Sequence, residues 1–192
     1  MARSMITVRS IEGAAFGGGL GKARYLNVPD GATPAPAHEV TLSAWLAAVM
    51  ATFTQPPGVS GRPGPARGDA LFVVHGFNQT VEAVVKLHDS IRDGVAQHGG
   101  DYLPTLISFD WPSAGTAFAY LPDLDVAAKT AVIMVNAGVR PLLRVQMLNC
   151  QVKVNALAHS MGAFVLRAAV FGHGHALETD GQACRRRRGS AE

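Results

Sequence analysis

The sequence predicts an α/β fold, a mostly parallel sheet with helices on both faces, and three observations carry that expectation. Strand-then-helix units recur three times from residue 69 onward, the pattern of right-handed parallel crossovers. The first of those strands, Ala70 to Val74, is a continuous apolar run, as a strand covered on both faces requires. The residues with chemical content, His75-Gly76-Phe77-Asn78, Asp110-Trp111-Pro112-Ser113 and His159-Ser160-Met161, all fall where strands end, the side on which sites of such sheets lie.

Composition agrees with one folded unit. The chain has 192 residues, 48% hydrophobic and 16% charged, enough for a single core. Its net charge is +3, but Arg185 to Arg188 supply four positive charges, and without them the remainder is −1. The basic character therefore belongs to a tail rather than to a face, and no nucleic-acid partner is expected. Cys150 and Cys184 have 33 residues between them and no CxxC, which writes neither a disulfide framework nor a cysteine metal cage. The start of the chain has no unbroken apolar core of a signal peptide. The longest apolar-rich stretch is read as Ala44 to Phe53, too short to span a bilayer, so a cytoplasmic protein without a membrane span is expected.

Three regions follow in order. Residues 1–68 read as N-terminal strands, a helix and a Pro/Gly-rich loop. Met5 to Val8 and Ala23 to Val28 look like short strands around a flexible glycine-rich connection holding Gly17, Gly18, Gly19 and Gly21. Gly21-Lys22 is not the end of a phosphate-binding loop, because Phe16 stands where the first glycine belongs and Ala23 where a Ser or Thr belongs. Leu42 to Phe53 has helical spacing after a cap at Thr41, and Pro56 to Gly68 can hold neither helix nor central strand. Residues 69–171 are the core: strand 70–74, helix 79–98, strand 104–109, helical segments 123–137 and 140–148 that Gly138 and Pro141 should kink or divide, strand 152–158 and helix 160–171. Residues 172–192 read as a disordered basic tail.

Ala158-His159-Ser160-Met161-Gly162 between an apolar strand and a helix is the pattern of a serine nucleophile elbow, in which a strained turn needs small residues two positions to either side. Ser160 is then the nucleophile. The backbone N–H of Met161 is one oxyanion donor and that of Phe77, after the first core strand, the other. The plain alternative is a serine that caps the last helix. His75 is expected to hold its loop by hydrogen bonding, His159 to point away from the serine, and Asp110 to be either a pocket carboxylate or part of a rigid turn.

His75-Gly76-Phe77-Asn78, Ser108-Phe109-Asp110-Trp111-Pro112-Ser113 and Ala158-His159-Ser160-Met161-Gly162, in that order, resemble a bacterial family of α/β-hydrolase domains of uncharacterised function. The resemblance spans about Ala70 to Ala169. It implies an α/β-hydrolase fold, Ser160 as nucleophile, and esterase-like hydrolysis of a small ester or acyl substrate without cofactor or metal. Such hydrolases supply the acid and the histidine of the triad after the serine, from loops beyond further strands. Only 32 residues follow Ser160 and none reads as a strand, so the C-terminal strands, and the triad acid and histidine with them, are expected to be missing. His173 or His175 as base, with Glu178 or Asp180 as its partner, are the substitutes on offer; His173-x-His175 is too sparse for a metal site. A chain reading of this kind is a hydrolase fragment or a non-catalytic domain that keeps the elbow for structural reasons. In either case the last strand leaves an unpaired edge that invites self-association.

Overall fold

The adjacent apolar residues Met5 and Ile6, with Val8, turn buried side chains to both sides of the first strand, so the chain begins in the middle of a sheet rather than at its edge. The computed structural model describes residues 2–54, 67–100, 102–113, 120–148 and 151–171. Strands β1 (Arg3–Glu12) and β2 (Ala15–Val28) form an antiparallel hairpin that turns at Gly13, φ 64°. The expected glycine-rich connection is instead inside β2. A Cβ at Gly21 would lie 2.7 Å from the Arg9 carbonyl oxygen, beside the register shifts that flank Arg9, so Gly21 permits a close backbone approach within the strand rather than a loop.

The short strand β3 (Glu39–Val40) pairs with β2, and α1 (Leu42–Met50) follows with the Thr41 side chain accepting a hydrogen bond from the Ala44 N–H. Then come β4 (Gly68–Val74), α2 (Val81–His98) capped by Thr80, and β5 (Thr105–Asp110). Helix α3 (Tyr120–Ile133), a π-helical turn (Met134–Val139) and α4 (Arg140–Leu148) form one continuous run before β6 (Val152–Ala158) and α5 (Met161–Phe171). The strand order is β3-β2-β1-β5-β4-β6, and β1, β5, β4 and β6 are parallel to one another. Because β1 pairs with β5, residues 1–68 and 69–171 contribute to one sheet, and the Pro/Gly-rich break does not divide it. Most of that loop, 55–66, and the tail, 172–192, lie outside the described residues.

Helices cover both faces. Trp45 of α1, Ala127 and Ala131 of α3, Leu142 of α4 and Val165 of α5 pack with Ile6, Phe72 and Phe109 on one face. Val84 of α2 meets Met5, Leu26 and Val28 on the other. The predicted division at Gly138 and Pro141 takes the form of the π turn. Pro141 has no N–H to offer the Ala137 carbonyl, and the Tyr25 hydroxyl donates to it instead at 2.9 Å. Gly138 lies where a Cβ would come 2.8 Å from the Phe72 ring, which lets the helix sit on β4. This run also corrects the reading of Ala44 to Phe53 as the longest apolar stretch: Asp125–Gln146, 22 residues, is long and apolar enough by length and composition to cross a membrane, and here its apolar side is packed on the sheet.

One polar pair sits within the α2 face. His88 is buried, its Nδ1 is 2.8 Å from Ser108 Oγ of β5, and burial lowers its pKa to about 4. The folded state therefore prefers the neutral ring. Stability from this group is complete above the unfolded value near 6.5 and is lost as pH falls from there to about 4, by about 3 kcal/mol in total. Denaturant titrations at stepped pH should show that slope, and His88→Gln should flatten it; a wild-type curve level across this range would contradict the burial argument.

Candidate active site

The site begins with what β6 does at its end. The His159 N–H donates to the Val74 carbonyl at 3.1 Å, one residue beyond the strand, and the chain then turns into α5. Ser160 takes the bend with φ 53°, in the left-handed region that non-glycine residues rarely enter and that costs of order 1–3 kcal/mol. Gly162 N–H donates to the His159 carbonyl and Ala163 N–H to the Ser160 carbonyl, each at 2.9 Å, closing the turn.

Two glycines explain how the turn fits. A Cβ on Gly162 would strike the Val74 carbonyl oxygen at 2.6 Å and the His75 carbonyl oxygen more closely still. One on Gly76 would lie 3.0 Å from the Ser160 Cβ and 2.9 Å from His159 Nδ1. The elbow and the loop after β4 are thus in direct contact, and Phe77 follows immediately. Neither the Phe77 N–H nor the Met161 N–H has a hydrogen-bond partner among the described residues. Ser160 Oγ likewise makes no capping bond to α5 among them, and Ser160 is exposed. The hydroxyl is therefore not spent as a helix cap.

Behind this surface lies a buried polar network that no local sequence pattern announces. Asp110, 1% exposed, accepts from Thr7 Oγ1 at 2.7 Å and from Arg9 Nε at 2.8 Å, and Arg9 is itself 5% exposed. Arg9 Nη2 also donates to the Gln79 carbonyl at 2.7 Å, tying β1 to the loop that carries Phe77. His75 is buried and stacked on Trp111 at 5.6 Å. Its Nδ1 lies 2.9 Å from the Gly76 carbonyl, which can only accept, so we assign the proton there; Nε2 then accepts from the Trp111 N–H at 3.0 Å. Trp111 Nε1 donates in turn to the His75 carbonyl. Nε2 also faces Asp110 at 3.3 Å. Burial works to raise the Asp110 carboxyl; because Nε2 of His75 carries no proton in this tautomer, it is the permanent charge of Arg9 that holds the carboxyl below the usual carboxylate value.

The structure thus brings Ser160, Met161, Gly76 and Phe77 together at one strand end. It places Asp110 in the interior, as part of the rigid support under the loop rather than in a pocket. His75 holds that loop, and His159 is exposed beside Gly76. Arg9 and Thr7, which sequence reasoning passed over, complete the support; polar residues alternating with the apolar Ile6 and Val8 were their only signal. No imidazole is hydrogen-bonded to Ser160 among the described residues, and His173, His175, Glu178 and Asp180 lie outside them. No group of three or more His, Cys, Asp or Glu is placed to hold a metal ion among the described residues. A polar cleft of about 380 Å³ opens on the β1 side of the same sheet end, between Arg9, Glu12, Asn78, Gln79 and Ser113; Ser160 does not line it.

No curated protein and no solved structure matches the chain. Residues 65–174, more than half of the sequence and all of the strand ends just described, match the family described as alpha/beta hydrolase of unknown function (DUF900), and the chain belongs to that family.

Proposed function

We propose that this protein is a serine hydrolase acting on small esters through an acyl-enzyme on Ser160. The observation that carries the reading is the left-handed backbone of Ser160 at the strand-to-helix turn, with its hydroxyl and two N–H groups on the flanking segments, of Met161 and Phe77, unspent among the described residues. In this reading Ser160 Oγ attacks the ester carbonyl, the two N–H groups take the negative oxygen of the tetrahedral adduct, and the alcohol leaves with the hydroxyl proton. Water then hydrolyses the acyl group and restores the serine. Held donors of this kind contribute about 3–4 kcal/mol each to the transition state.

Stopped-flow mixing with a short-chain nitrophenyl ester tests the proposal. We expect a burst of nitrophenolate approaching one equivalent per chain, followed by slow turnover, and no burst from Ser160→Ala. Equal traces from the two proteins would overturn it. The lack of an imidazole on Ser160 among the described residues favours a second reading, a non-catalytic domain that retains the elbow because β6 and α5 need the turn. Equal traces from two folded proteins are what that reading expects.

A further inference from the structure

The outer edge of β6 is an unused feature of the described fold. Among the described residues β6 pairs with β4 alone. Two backbone bonds, His159 N–H to the Val74 carbonyl and Gly68 N–H to the Gln151 carbonyl, show that odd-numbered residues of this strand turn their amide groups toward β4. Val152, Val154, Ala156 and Ala158 therefore turn theirs outward, where they form an open hydrogen-bonding row. Natural edges are usually blunted by proline, bulges or several charges; this one holds no proline and one charge, Lys153. Apolar surface continues around it. A cavity of about 270 Å³ between Phe72, Leu142, Val154, Leu166 and Val170 opens beside the strand, and Leu157 and Phe171 are 46% and 80% exposed.

We infer that β6 pairs antiparallel with β6 of a second copy about a two-fold axis through Asn155. The strand is self-complementary in that register. Val152 faces Ala158 and Val154 faces Ala156, each pair exchanging both bonds, so every outward amide group is used. Between them Lys153 faces Leu157, and no like charges meet. The chain's own residues 172–192 make a poor occupant: they hold four glycines, Glu178, Asp180 and Arg185 to Arg188, and no apolar run longer than two. A symmetric contact of this kind closes at two copies.

Sedimentation velocity over a concentration series tests this with the whole chain. We expect a monomer–dimer equilibrium. Leu157→Lys puts a lysine against Lys153 of the second copy, twice per dimer, whereas Leu157→Glu puts a carboxylate there, so the two variants should differ by about tenfold in dimer dissociation constant, the lysine being weaker. Ala156→Pro removes an outward N–H without touching the β4 ladder and should give a folded monomer by circular dichroism. A wild-type monomer throughout, or equal dimerisation of the Lys and Glu variants, overturns the inference, and the charge pair decides even if the proline variant fails to fold.

Discussion

Asp110→Asn will destabilise the protein by roughly 3–5 kcal/mol in equilibrium unfolding, the penalty of leaving a buried guanidinium without its counter-charge. Both partners are almost wholly excluded from solvent, and Arg9 contacts both carboxylate oxygens of Asp110, at 2.8 and 3.0 Å. An amide in place of the carboxylate keeps the shape and removes the charge. Arg9→Met in the same chain removes the stranded cation, so the double variant should recover much of the loss, a coupling that a double-mutant cycle reads directly. Additive losses would mean that the pair is not a unit. Because Arg9 also holds the Gln79 carbonyl, the single variant should loosen residues 75–80 as well, visible as faster amide exchange there.

Gly162→Ala will be nearly as damaging, with a loss of roughly 3 kcal/mol, because the added methyl meets carbonyl oxygens of Val74 and His75 that are fixed by the sheet and cannot turn aside. α5 must lift off the end of β4, and Met161 moves with it, so reactivity at Ser160 should fall by more than the unfolded fraction explains. Gly94 provides the contrast. It sits inside α2 with nothing within 4 Å of an added Cβ, and Gly94→Ala should stabilise by about 0.5–1 kcal/mol. Thermal melts of the two variants moving in the same direction would refute the steric account.

The elbow and its partners were legible because they are local. A strand reading Val152 to Ala158 was recovered to the residue, and a serine between small residues at its end has few uses. Thr41 announced the start of α1 for the same reason, a cap being read from its neighbours, whereas the helix expected from Gln79 begins at Val81, with Thr80 as the cap. What depended on pairing across the chain was not legible. Asp110 looked like a candidate pocket carboxylate until β1 was found beside β5, which brings Arg9 from 101 residues away. The glycines of β2 looked like a loop because the close approach that Gly21 permits is to Arg9 on the opposite strand, a neighbour that period and propensity do not reveal. Likewise Gly138 and Pro141 signalled a break, while the rescue by the Tyr25 hydroxyl comes from another strand and lets the helix continue.

Hydrolysis through an acyl-enzyme requires Ser160 to be a reactive nucleophile in the folded chain. A fluorophosphonate probe, followed by proteolysis and mass spectrometry of the labelled peptide, measures that most directly. We expect one adduct, on Ser160, lost on prior heat denaturation and absent in Ser160→Ala. An unlabelled folded protein, or an adduct on any other residue, would contradict it.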